Sequence, residues 1–288
     1  MVAGSRKGFT LIELLVALVL LLMVSASFWS ALATVQRTTR TQTEMAAMRG
    51  TVRGGLQIVA SDLQELYANP TTGETDIIAM SATALRYKAM RGSGVICERS
   101  PTEVKIRRFL WAGLHDPTFQ LDAGMFLFAD DEADDDGDDE WLEVAITGAT
   151  TSGTCPDGAA AFVVSVNITD VDDLDKLAKI HGGAPVRTYE EMELGLVTDA
   201  GRNWLGLRSV TASEAALLPL AGPLAAGGVN LTYWLADGVT ATTAPAQVQS
   251  IRVLLVGQTD RAVNLGVSST VQQVVDPLAL RIQLRNSR

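Results

Sequence analysis

Hydrophobic residues are distributed unevenly along the chain, and the longest apolar run begins at Phe9. Residues 9–33 read FTLIELLVALVLLLMVSASFWSALA, with one ionisable side chain, Glu13, and neither Pro nor Gly. About 20 helical residues cross the roughly 30 Å hydrocarbon layer of a bilayer, so this run predicts a transmembrane helix. Arg6 and Lys7 precede the run. The positive-inside rule therefore places the N-terminus in the cytoplasm and the remaining chain across the membrane.

After residue 33 the pattern becomes that of an amphipathic helix. Apolar residues recur at spacings of three and four, which marks one helical face: Met45, Met48, Val52, Leu56, Val59, Leu63 and Leu66. The helix is predicted to run from Phe9 to about Tyr67, because Asn69-Pro70 follows and a residue before proline is disfavoured in the α conformation. Gly54-Gly55 has two interpretations, close packing against the rest of the chain or a bend that melts locally.

Residues 68–288, called the head below, show the pattern of a separate α+β region. Short apolar runs bounded by Gly, Pro and Asp predict strands at 85–88, 104–107, 124–129, 141–147, 161–168, 186–197, 229–235, 248–256 and 278–285. Residues 171–180 predict a short helix with Asp170 as its N-cap. The expected fold class is α+β, in which a long N-terminal helix packs on a mostly antiparallel sheet.

Composition and charge exclude several classes of function. The chain has 288 residues, of which 47% are apolar, and this excludes a wholly disordered protein. Its net charge of -10 argues against a general nucleic-acid binder, because phosphates require a basic surface. Two Cys and two isolated His, His115 and His181, are too few for a zinc finger or ribbon. The sequence has no G-x-S-x-G, H-E-x-x-H or Walker motif, so no catalytic residue is predicted.

The start of the apolar run resembles a known leader. Gly8-Phe9-Thr10-Leu11-Ile12-Glu13, placed after a short basic segment, is similar to the class III leader of type IV prepilins and pseudopilins. The resemblance implies that a prepilin peptidase and N-methyltransferase cuts between Gly8 and Phe9 and methylates Phe9. It also implies four segments: a leader at 1–8, a transmembrane and assembly helix at 9–33, its amphipathic continuation at 34–67, and a periplasmic or extracellular head at 68–288.

Glu13 is a candidate assembly residue. A carboxylate inside a membrane helix is costly and is usually paired or functional. Cleavage after Gly8 would create an amine on Phe9, one helical turn from Glu13, which could neutralise Glu13 of the same chain or of a neighbour. The resemblance implies the second pairing, which sets the register between subunits. The alternative is a tolerated carboxylate near a helix end that reaches the membrane interface.

An acidic run at 130–140, DDEADDDGDDE, allows a calcium site. Six acids have nearly the spacing of a twelve-residue calcium loop: Glu132, Asp134, Asp136, Asp138, Glu140 and Glu143. The run departs from that loop because Glu132 stands at the first position, Asp139 replaces an apolar residue, and Glu143 falls in a predicted strand. The alternative is a solvated hairpin tip that turns at Asp136-Gly137. No cofactor other than calcium is expected.

Cys97 and Cys155 both fall in the head, on the predicted far side of the membrane. In an oxidising periplasm a disulfide between them is favoured. Two unrelated buried thiols are the alternative.

Residues 222–256 carry a second resemblance. Gly222-Pro223-Leu224, the runs 228–234 and 248–256, and Asp237-Gly238 are similar to the closing region of PilW-type minor pilins. J-type minor pseudopilins of type II secretion share this layout.

Together the resemblances imply a non-enzymatic structural subunit of a type IV pilus, in a tip or initiation complex. Its implied partners are other pilin or pseudopilin subunits, the peptidase, an inner-membrane assembly platform and membrane lipid, with no nucleic acid. The implied location is the inner membrane, followed by the filament. Three alternatives stay open: a minor pseudopilin of a type II secretion system, a filament-tip binding module, and a membrane-tethered periplasmic enzyme or ligand-binding domain.

Overall fold

The computed structural model describes residues 10–118, 120–130, 140–264 and 271–285. The predicted leader and cleavage residues Gly8 and Phe9 lie outside this part of the chain, as do four of the calcium candidates: Glu132, Asp134, Asp136 and Asp138. Of these described residues, those up to Arg49 and those within Thr259–Val274 form one compact unit, and those within Gly50–Gln258 and from Val275 onward form a second. The segment boundaries at 8, 33 and 67 stay predictions.

Helix α1, Leu11–Gln64, is the long N-terminal helix that the sequence predicts. It ends three residues before the expected Tyr67, and the reason is the side chain of Asp76. Asp76 is fully buried and its Oδ2 accepts the backbone N–H of Tyr67 at 2.9 Å. That N–H is therefore not available to a helix carbonyl, and the chain turns into the first strand.

Each predicted strand overlaps a strand of the structure. In chain order the strands are β1 (Ile77–Met80), β2 (Ala84–Arg99), β3 (Glu103–Arg107), β4 (Ala112–Gly113), β5 (Gly124–Ala129), β6 (Glu140–Ala145), β7 (Thr151–Thr154), β8 (Ala160–Ser165), β9 (Pro185–Asp199), β10 (Arg202–Ser209), β11 (Leu218–Trp234), β12 (Ser250–Gln258), β13 (Val263–Asn264), β14 (Val271–Gln272) and β15 (Val275–Gln283). Single 3₁₀ turns lie at Arg108–Leu110 and Pro245–Gln247. The short helix α2, Val171–Ala178, begins at the predicted cap, because Asp170 accepts the N–H of Asp172 at 2.9 Å.

One antiparallel sheet contains thirteen of the described strands. Its main path runs β15-β12-β11-β10-β9-β2-β3-β8-β7. Strands β1 and β4 pair with β2, and the β5–β6 hairpin joins through β9. Strands β13 and β14 pair separately, in the unit that contains Thr259–Val274. The fold class predicted from the sequence, a long helix packed on a large antiparallel sheet, is confirmed.

Two hydrophobic cores stabilise the second unit. The first forms between residues 52–66 and the face of β2, β9, β11 and β12; its fully buried members include Leu63, Leu66, Leu85, Tyr87, Leu194, Ile251 and Val253. The second lies among the end of β2 and the elements β3, β5, β6, β8 and α2; its members include Ile96, Ile106, Met125, Leu127, Phe162, Val164 and Ile180. Each fully buried aliphatic side chain contributes about 1.5–3 kcal/mol, so the first core fixes the end of α1 on the sheet.

Cys97 and Cys155 form a disulfide in the structure, with their Cα atoms 5.6 Å apart. Cys97 lies near the end of β2, and Cys155 follows β7. The two residues are separated by 58 positions in the sequence. In the chain-entropy account, closing a loop of this length stabilises the folded chain by about 4 kcal/mol.

Candidate functional site

The first turn of α1 contains a reciprocal pair formed by Thr10 and Glu13. The Thr10 backbone N–H donates to Glu13 Oε2 at 3.0 Å, and the Glu13 N–H donates to Thr10 Oγ1 at 3.3 Å. This arrangement is a capping box, which satisfies two N–H groups that a helix start leaves without partners. Sequence reasoning identified Glu13 and missed Thr10, although the Thr-x-x-Glu spacing is the ordinary signal for this cap.

The apolar run after this cap is not part of a core. Its large side chains from Leu11 to Val24 are 47% to 82% exposed. An 18-residue window of α1 has a mean hydropathy of 2.6, and none of it is buried within the chain. A helix of this length and hydropathy can cross a membrane. The exposed surface also has no 3.6-residue pattern that would direct one face toward a sheet.

Hydroxyl side chains in and after the apolar run are satisfied within the helix. Ser27 Oγ donates to the Met23 carbonyl at 3.0 Å, and Thr34 Oγ1 donates to the Ser30 carbonyl at 2.9 Å. Such bonds to the preceding turn remove the need for water at these positions. The polar residues in this part of α1 are therefore compatible with an apolar environment.

Close packing explains one of the two adjacent glycines near the end of α1. A Cβ atom added at Gly55 would lie 2.2 Å from Ala221 Cβ, which is far below a van der Waals contact. A Cβ added at Gly54 would meet nothing within 4 Å. The packing interpretation of the glycine pair therefore applies to Gly55, where the absence of a side chain lets the helix approach β11.

A partly buried ion cluster also connects α1 to the sheet. Arg91 of β2 contacts Asp62 of α1 through Nη1 at 3.2 Å and Glu190 of β9 through Nε at 2.7 Å. The Tyr87 hydroxyl donates to Asp62 Oδ2 at 3.2 Å. Burial raises the pKa of Tyr87 well above its usual range, and the charge of Asp62 raises it further. Tyr87 therefore stays a neutral donor, and Arg91 shares its charge between two elements that are distant in sequence.

The two described calcium candidates have other partners. Glu140 lies 3.0 Å from Lys176 Nζ, and Glu143 lies 2.6 Å from Lys88 Nζ. Glu143 Oε1 also accepts the hydroxyl of Tyr189 at 2.6 Å. Within the described ranges no group of three His, Cys, Asp or Glu side chains is placed to hold a metal ion. Because the other four candidates lie outside those ranges, calcium binding stays a prediction.

The family comparison identifies the N-terminal segment. Residues 4–29 match the model of the prokaryotic N-terminal methylation motif. The chain carries a type IV pilin-like leader. Such a leader implies processing by a peptidase and assembly with other pilin subunits, and the exposed apolar helix fits a membrane-anchored protein. Comparisons with curated proteins and with solved structures give no match.

Proposed function

We propose that this chain is a minor pilin-like structural subunit of a type IV pilus, cleaved after Gly8, methylated on Phe9 and placed in a tip or initiation complex. The overlap of two observations supports the proposal. The methylation motif at 4–29 overlaps the part of α1 whose large apolar side chains are exposed. A core helix would bury these side chains within its own chain, whereas an assembly helix leaves them for lipid and then for neighbouring subunits.

The geometry of the first turn gives Glu13 a defined role in this proposal. Before cleavage its carboxylate accepts two bonds from Thr10, one from the N–H and one from the hydroxyl at 3.1 Å. Cleavage after Gly8 brings a charged amine to Phe9, directly before Thr10. A cation is a stronger partner for a carboxylate than a neutral donor. The amine of a neighbouring subunit would therefore compete with Thr10 for Glu13 and fix the axial position of the incoming helix.

The proposed partners are the peptidase and N-methyltransferase, an inner-membrane assembly platform, membrane lipid and other pilin or pseudopilin subunits. The head would be periplasmic before assembly, and no catalytic role is proposed for it. A minor pseudopilin of a type II secretion system would carry the same leader. Deletion of the gene separates the two, because a pilus subunit is required for filaments and a pseudopilin for secretion.

Mass spectrometry of the protein purified from native membranes tests the proposal. The expected mature N-terminus is N-methylated Phe9. An intact leader, or a cut after Ala33, would reject a processed subunit in favour of a tethered enzyme or ligand-binding domain with an ordinary anchor or signal.

The replacement Glu13→Gln tests the register role. We expect normal membrane insertion, because a neutral amide is easier to bury than a carboxylate. We also expect a strong loss of incorporation into the assembly, measured by immunoblot of sheared filaments against the membrane fraction. Glu44→Gln, farther along the same helix, is the matched control and should incorporate normally. Equal incorporation of both variants would remove Glu13 from the assembly mechanism.

A further inference from the structure

A cleft of about 450 Å³ opens beside β2 and β4, and three arginines line it. Its volume falls within the usual range of ligand sites in proteins. Arg91 comes from β2, Arg187 from β9, and Arg285 from the segment after β15. Gly113 and Leu114 also line it, and so does one acid, Glu65, which directly follows α1.

Two of these arginines lack an acidic partner in the part of the chain that the structure describes. Arg91 is balanced by Asp62 and Glu190. Arg187 and Arg285 are exposed, and neither forms a salt bridge with a described residue. The guanidinium of Arg187 stacks on the Trp141 ring, 5.2 Å from its centroid, which restricts its orientation. The N–H of Arg285 donates to the Gln64 carbonyl at 3.2 Å, so its backbone is fixed at the end of α1.

An exposed apolar side chain lines the same cleft. Leu114 is 79% exposed. Arginine is enriched at protein–protein interfaces, and the fully buried centre of such an interface is more apolar than the rest of the surface. A planar guanidinium binds a carboxylate through two parallel hydrogen bonds. The lining is therefore suited to a peptide that combines carboxylates with apolar side chains.

The chain contains one segment with this chemistry. The run 130–140 holds nine of the 33 acidic residues, which leaves 24 acids against 23 bases in the rest of the chain. Nearly all of the net charge of -10 thus belongs to this run, and the apolar residues Phe128 and Trp141 flank it. No other part of the sequence offers a comparable complement to two arginines without acidic partners.

We propose that the cleft binds the acidic run 130–140 of a second copy of this chain, with Arg187 and Arg285 pairing with its carboxylates and Leu114 contacting its apolar flank. The contact needs neither leader cleavage nor filament growth. Its failure would leave the mature N-terminus unchanged, so the two proposals fail separately.

Fluorescence anisotropy with a labelled peptide of residues 128–141 tests the site. The receptor is the full chain in non-ionic detergent micelles, prepared with its own run intact and with the acids of that run changed to Asn and Gln. We expect saturable binding that weakens with salt, and at least about a tenfold loss for the double variant Arg187→Gln/Arg285→Gln. A peptide with Asn and Gln in place of its acids should not bind.

The matched control is Arg252→Gln/Arg261→Gln, which removes the same charge from exposed arginines that do not line the cleft. Equal weakening by both double variants, or no binding of the acidic peptide, would overturn the site.

Sedimentation of the full chain tests whether the partner is a second copy of the chain. Self-association should disappear in Arg187→Gln/Arg285→Gln and persist in the control, and a monomeric wild-type chain at concentrations that saturate the peptide would overturn the homotypic contact. Unchanged unfolding midpoints verify that all variants fold.

Discussion

The two ends of helix α1 carry the same kind of side chain in opposite environments. Leu21 and Leu22 are 62% exposed, whereas Leu56 is 3% exposed and Leu63 is fully buried. Hydrophobicity alone does not separate these positions. The spacing does, because the apolar residues of 52–66 recur every three or four positions and those of 11–24 form a nearly unbroken run.

Because of this difference, burial of apolar side chains stabilises the folded chain at one end of α1 and an association with lipid or other helices at the other end. Burial of Leu63 stabilises the fold of a single chain, by about 1.5–3 kcal/mol for a side chain of this size. Exposure of Leu21 leaves a similar amount to be gained elsewhere, in a bilayer or against other helices. A substitution at each end should therefore affect a different measurement.

The largest expected effect is that of Leu63→Ala. Removing a fully buried leucine leaves a cavity in the first core and should lower the free energy of unfolding by about 2–5 kcal/mol. Chemical unfolding of the full chain in non-ionic micelles, followed by tryptophan fluorescence, measures this loss. Leu21→Ala is the matched control and should stay within about 0.5 kcal/mol of wild type. Similar losses at the two positions would contradict the division of the helix.

A smaller effect is expected from Gly55→Ala. The new methyl group would overlap Ala221 Cβ and push α1 away from β11, at a cost of about 1–3 kcal/mol. Gly54→Ala adds the same methyl group where nothing lies within 4 Å, and it should stabilise the helix by up to about 1 kcal/mol. Thermal unfolding of both variants gives the comparison. If both alanines stabilise the chain, the close-packing interpretation of Gly55 is wrong, and the alternative interpretation of the glycine pair as a bend in the helix is favoured.

Local patterns predicted much of the molecule. The leader, the apolar run, the stripe from Val52 to Leu66 and the Asp170 cap each depend on residues within a few turns of one another. The sequence missed the short strands β1, β4, β7, β13 and β14. It also missed β10 and the first half of β11, where glycines and prolines, including Gly206, Pro219 and Pro223, interrupt the apolar pattern. Strand β10 pairs with both β11 and β9, and this pairing compensates for the weak local preference for strand.

Contacts between distant segments could not be predicted from the sequence patterns. Arg91 appears in the sequence as an ordinary charged residue of a strand, yet one of its partners lies 29 positions before it and the other 99 positions after it. The cleft has the same origin, since Arg187 and Arg285 meet only because β9 and the chain after β15 reach one place. Hydrophobic periodicity does not predict that two such residues lie close together, because their proximity depends on strand order and register.

The smallest effect that bears on the two ends of α1 is that of Asp62→Asn. Asp62 is partly buried and binds both Arg91 and Tyr87, so its neutralisation should cost about 1 kcal/mol of unfolding free energy. The cost is limited because Arg91 keeps Glu190 and the asparagine keeps an acceptor oxygen. Glu65→Gln, at an exposed position three residues later, is the control and should leave the free energy of unfolding unchanged. Because salt screens partly buried ion pairs much less than exposed ones, the difference between the variants should persist in high salt. Disappearance of that difference would mean that apolar contacts alone hold this end of the helix.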